Sequence, residues 1–81
     1  MIKTYPEDLF DEIKLLSKFP EESHIEGLKI HHDADPILVK SAQSLFNKGI
    51  ITQLDGGYLT DSGREMVEHL HTVLDTINQQ A

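Results

Sequence analysis

Three features of the sequence predict an α+β fold, mostly α, with three main helices and one β-hairpin. Apolar residues recur at helical spacing in three separate stretches. Between the second and third stretch lies Lys48 to Gly63, KGIITQLDGGYLTDSG, which reads as a helix end, a strand, a tight turn, a second strand and a helix start. Leu28-Lys29-Ile30-His31 alternates apolar with polar residues, as a short strand does. The expected elements are helices at about 5–18, 35–48 and 61–78, hairpin strands at about 50–54 and 58–60, and a short strand at 28–31. At 81 residues the chain is one domain, 1–81, that buries only about 60–65% of its unfolded surface.

In the first helix, Thr4 and Glu7 match a capping box and Pro6 sits where no amide donor is needed. Leu9, Ile13 and Leu16 form an apolar stripe widened by Phe10. Glu7, Asp8, Asp11 and Glu12 crowd the end where the helix dipole favours acids. Phe19-Pro20 breaks the pattern, because the residue before a proline disfavours helix. Glu21 to Gly27 is polar, and is either a loop or one helical turn.

The second helix starts with Asp35 as N-cap and Pro36 at the first helical position. Leu38, Ala42 and Leu45 point inward, and Lys40, Ser41, Gln43, Ser44 and Asn47 outward. Gly49 ends it. Asp55-Gly56-Gly57 is a turn signal. Thr60 caps the last helix, where Met66, Leu70, Val73 and Ile77 recur at i, i+4, i+7 and i+11, broadened by Val67 and Leu74.

Helix, glycine, apolar pair, strand, Asp-Gly turn, aromatic, Leu-Thr and glycine follow one another as Leu45, Gly49, Ile50, Ile51, Asp55, Gly56, Tyr58, Leu59, Thr60 and Gly63. The C-terminal half therefore resembles winged helix-turn-helix domains. Over most of its length, the chain is also similar to a small family of short, uncharacterised bacterial proteins through GLKIHHDADP (27–36) and KGIITQLDGGYLT (48–60). The first resemblance implies a wing and a recognition helix. It departs from that pattern between the first two helices, where only Glu21–Gly27 is left to serve as the positioning helix.

Two functions follow as expectations. The first is a DNA-associated or regulatory module, with Lys40, Ser41, Gln43, Ser44, Asn47 and Lys48 at the nucleic acid. Gln and Asn can read adenine, and Lys can reach guanine or phosphate. The alternative is an acidic protein-interaction module that does not bind DNA. The net charge of −7 weighs towards it, since acidic chains are repelled by nucleic acid and anionic membranes. Residues 35–60 are neutral, with Lys40 and Lys48 against Asp35 and Asp55. A homodimer through Val73, Leu74 and Ile77 is a further expectation.

No enzyme is expected. Ser62-Gly63 lacks a nucleophile elbow, and Gly56-Gly57 lacks phosphate-loop spacing. No metal or cofactor is expected either. His31, His32 and Asp33, with His24 nearby, draw attention as ligand types, but adjacent strand residues face opposite ways. Glu68-x-x-His71 has the i, i+3 spacing of di-iron ligands, without partner glutamates on other helices. The chain contains no cysteines, which excludes thiolate sites. It lacks a signal-peptide core and any apolar run of roughly 20 residues, so the expected location is cytoplasmic.

Overall fold

The computed structural model describes residues 4–20 and 27–79. The fold is α+β and mostly helical, with a wing-like hairpin. Its elements in chain order are α1 (Asp8–Leu16), β1 (Leu28–Lys29), α2 (Pro36–Asn47), β2 (Ile51–Gln53), β3 (Gly56–Leu59) and α3 (Asp61–Ile77). The strands form one antiparallel sheet in the order β1-β3-β2. Among the described residues, no helix is long and apolar enough to cross a membrane. Of Glu21–Gly27, either a loop or one helical turn by its sequence, residues 21–26 lie outside the described residues, as does His24, and Gly27 is in neither helix nor strand.

Helix α1 starts later than its capping-box signal suggests. Glu7 occupies the N-cap with helical dihedrals and makes no side-chain cap. A tight turn precedes it instead, with Leu9 N donating to Pro6 O and Phe10 N to Glu7 O. The buried stripe is also rotated from the expected one. Glu12, Leu15 and Leu16 are buried, while Leu9 and Ile13 are half-buried and Phe10 faces water. After Leu16 the chain winds down through i→i−3 bonds at Lys18 and Phe19. This carries Phe19 into the core, where it is 1% exposed and among the largest fully buried side chains. The apolar residue next to the helix breaker is thus a central packing residue.

Helix α2 is bounded as its sequence signals predict. The Asp35 carboxylate accepts from Ile37 N at 2.9 Å. At the other end Ile50 N donates to Leu45 O, and Gly49 N to Phe46 O, each at 3.0 Å. This pair of bonds is a Schellman closure, and it requires the positive φ of 76° that Gly49 adopts. Leu45 and Ile50, on either side of the closure, are both buried.

The hairpin turns one step earlier than expected, at Leu54-Asp55, and both glycines lie inside β3. Sheet geometry explains the shift. β3 is the central strand, and Leu28 and Lys29 pair with Gly57 and Gly56. A Cβ on Gly56 would stand 2.3 Å from Leu28 O, and one on Gly57 would stand 2.5 Å from Thr52 Oγ1. Both residues also have positive φ. They therefore admit close strand approach on both sides, with a register shift between Ile51 and Gln53.

Thr60 joins three elements. Its backbone N–H donates to Ile50 O at 3.0 Å, and its hydroxyl donates to Gly49 O at 2.7 Å. The same oxygen accepts from Gly63 N at 3.1 Å as the α3 N-cap. The end of α2, the hairpin and the start of α3 are fixed at one residue. Beyond that first part α3 is little buried: only Gly63 and Val67 are, and the helix packs chiefly on β3.

Candidate interaction surface

The exposed side of α2, the connector after β1 and the hairpin form one continuous surface. Of the six residues expected to face a nucleic acid, Lys40, Gln43 and Asn47 are exposed at i, i+3 and i+7 and share a helix face. Ser41 is not on that face. It is 5% exposed, and its hydroxyl donates back to Ile37 O at 2.8 Å. Ser44 and Lys48 are engaged with α1. The Ser44 hydroxyl donates to Glu12 Oε1 at 2.6 Å, and Lys48 Nζ to the same oxygen at 2.8 Å. The outward placement of Ser41 and Ser44 is thereby corrected. Both sit on the side of α2 that packs on α1, Ser41 bonded back to its own helix and Ser44 to Glu12.

Glu12 is the residue of this region whose place the sequence does not reveal. By sequence it is one of several acids placed for the helix dipole. The available signal was its spacing to Leu15, Leu16 and Phe19, which puts it on the buried line. Burial pushes its carboxyl up, but the bonds from Lys48 and Ser44 outweigh this and hold it below the ordinary value.

At the hairpin, the Lys29 ammonium pairs with the Asp55 carboxylate. That bond holds the Asp55 carboxyl below its ordinary range. On α3, Arg64 pairs with Asp61. Among the described residues of α2 and the sheet, Lys40 is therefore the cation without a carboxylate within 4 Å. It borders a hollow of about 140 Å³ whose other walls include Asp8, Asp11 and Glu12. Its charge sits in a negative surround.

A second groove, of about 240 Å³, runs between α2 and the turn of the hairpin. Ile30, Val39 and Leu54 give it an apolar floor, and Lys29, His31, His32, Gln43 and Asp55 its rim. His31 and His32 are both exposed. Asp35 is occupied as the α2 cap, and Asp33 lies in the turn between β1 and α2. Leu54, which lines this groove, is 53% exposed; Ile37, 56% exposed, borders the hollow on the α1 side of α2, and Tyr58, 42% exposed, lies on β3. Tyr58 belongs to the hairpin motif, but the sequence points to no interaction role for any of the three. The dimer residues Val73 and Ile77 are exposed on α3, whereas Leu74 is half-buried.

The family model for a family of unknown function, DUF5669, matches residues 3–78. The chain belongs to that family. Comparison with curated proteins and with solved structures gives no match. Family membership covers nearly the whole chain, including α1, the α2–hairpin surface and α3, and it assigns no activity to any of them.

Proposed function

We propose that this member of the family is a non-catalytic, winged-helix-like interaction module whose α2–hairpin surface binds a partner protein. One observation carries the reading. The lysines beside that surface are committed to internal pairs, Lys29 with Asp55 and Lys48 with Glu12, while Lys40 stands against Asp8, Asp11 and Glu12. Binding to nucleic acid draws most of its strength from lysines and arginines that neutralise several phosphates. This surface offers one uncommitted cation and instead exposes Leu54 at an apolar-floored groove, with Ile37 exposed on the α1 side of α2 and Tyr58 on β3. Aromatic and aliphatic anchors beside a pocket are the usual core of a protein interface. Thr60, Gly56 and Gly57, which border on catalytic motifs in sequence, are accounted for as cap and strand contacts.

A second reading, association with DNA in a regulatory role, is favoured by the placement of Lys40, Gln43 and Asn47 on one exposed helix face just before the hairpin. Its support is analogy of fold.

The two readings separate in a pair of measurements. Fluorescence anisotropy with random duplex at about 100 mM salt should show no saturable binding up to about 100 µM protein. In pull-downs, a stoichiometric protein partner should be held by the wild type and by Lys40→Ala, and lost with Leu54→Asp. Saturable duplex binding that disappears in Lys40→Ala would overturn the interaction reading in favour of the DNA one.

A further inference from the structure

Helix α3 carries an apolar ridge that the described residues leave exposed. Met66 is 42% exposed, Val73 51% and Ile77 77%. Leu70, which packs partly on the core, lies in line with them. The spacing of the four is four, three and four residues, the repeat by which two helices keep a seam in register. We infer that this ridge is the contact between two copies of the chain, which pair through antiparallel α3 helices.

Three features favour a second copy over another partner. First, the ridge matches itself. With the two-fold axis midway between Leu70 and Val73, Met66 meets the second copy's Ile77, and Leu70 meets its Val73. All four ridge residues are used, and the contact closes on itself as an isologous interface does. Second, the charges point elsewhere. At about 100° per residue, Ser62, His69 and Thr76 border the ridge, while Glu68 and Asp75 fall about 160–180° away from it. In the register given, Glu65 lies opposite the second copy's Asn78 and His69 opposite its Leu74. No carboxylate faces another across the seam. A basic partner would be recognised by a row of acids beside the ridge; Glu68 and Asp75 are on the far side, and Glu65 alone stands near its edge.

Third, the area fits a weak self-association. Met66, Val73 and Ile77 are the exposed members of the ridge, so pairing along it covers less than a standard interface does. A standard stable interface covers at least about 1,200 Å². The pairing is therefore expected to be weak and concentration-dependent. This inference does not rest on the reading of the α2–hairpin surface, and Leu54→Asp should leave it intact.

The test is sedimentation velocity from about 1 µM to about 500 µM. The wild type should move from the 9.2 kDa species towards twice that mass. Val73→Glu should stay at the lower mass throughout, with its circular dichroism unchanged. Ile77→Lys, at the most exposed ridge position, serves the same purpose if Val73→Glu loses helix. The register is read by crosslinking, which the absence of native cysteines makes clean. An equimolar mixture of Met66→Cys and Ile77→Cys should oxidise to the mixed dimer, well above either variant alone. A single 9.2 kDa species at every concentration, or a dimer indifferent to both ridge variants, would overturn the inference. Dominant Met66–Met66 position crosslinks would overturn the antiparallel register.

Discussion

Replacing Glu12 with Gln keeps the size and the acceptor oxygen of the side chain and removes only its charge. In the wild type one carboxylate oxygen takes both the Ser44 hydroxyl and the Lys48 ammonium, and the residue is 9% exposed. Burial alone opposes the charged form, so the net depression of its pKa means the two donors more than offset desolvation. The surplus is small. Charge-assisted bonds contribute about 1.5–3 kcal/mol, but the Lys48 side chain is 53% exposed and screened, and Gln also relieves the desolvation. The expected loss for Glu12→Gln is about 1 kcal/mol at pH 7, or a fall in Tm of about 4–8 °C for a chain of this size. The pH dependence follows from the direction of the shift. A carboxyl whose folded pKa is depressed contributes stability above its unfolded pKa, near 4.5, and loses it as pH falls through the lower folded value. The gap between wild type and variant should be full above about pH 5 and close below that. Thermal unfolding of both proteins at pH 7, 5, 4 and 3 reads this directly. A variant as stable as wild type at pH 7, or a gap that persists unchanged at pH 3, would refute the reasoning.

Thr60→Ala should cost about 1–2 kcal/mol by chemical denaturation, because it removes the α3 cap and the bond to Gly49 O, while Thr60→Ser should recover most of it. Gly63→Ala should destabilise by more than about 1 kcal/mol despite the better helix propensity of alanine. Its Cβ would stand 2.2 Å from Ile50 O, and an unchanged midpoint in urea would contradict the close packing of α3 on the end of the hairpin. Phe19→Ala should lose about 3–5 kcal/mol, enough to leave much of the protein unfolded at 37 °C, as circular dichroism would show.

Elements whose signals are local were legible in the sequence. Asp35-Pro36 and Gly49 bounded α2 because capping and a left-handed closure depend on a few adjacent residues. Thr60 marked the start of α3 for the same reason. Features that depend on distant chain were not legible. The phase of the α1 stripe is set by Ser44 and Lys48, more than thirty residues away, which draw Glu12 inward and turn Phe10 out. The glycine pair looked like a turn, yet it is needed where β1 and β2 approach the two sides of β3, and no local pattern announces a three-stranded packing. Of the expected nucleic-acid face, the helical spacing of Lys40, Gln43 and Asn47 could be read in advance. The engagement of Ser44 and Lys48 could not, since a polar residue on a helix looks the same whether it meets water or a buried carboxylate.

The ion pairs that organise the fold also set the cost of using its lysines elsewhere. For Lys48 to reach a phosphate it must leave Glu12, which is nine-tenths buried and would keep the Ser44 hydroxyl as its donor from α2. The loss is at least about 1 kcal/mol and exceeds what Glu12→Gln measures, because the carboxylate stays buried and charged without its cation. The gain is the release of about 0.9 counterion per phosphate, also about 1 kcal/mol at 0.15 M salt. The exchange is therefore near neutral at best for Lys48. Lys29 at the hairpin faces the same exchange with Asp55, and a freed Asp55 would then oppose the phosphate. Only Lys40 could contribute its full share, against the repulsion of Asp8 and Asp11 across the hollow. On the proposed reading, a surface whose cations gain nothing by changing partners favours a protein over a polyanion, with the exposed Leu54 as a contact.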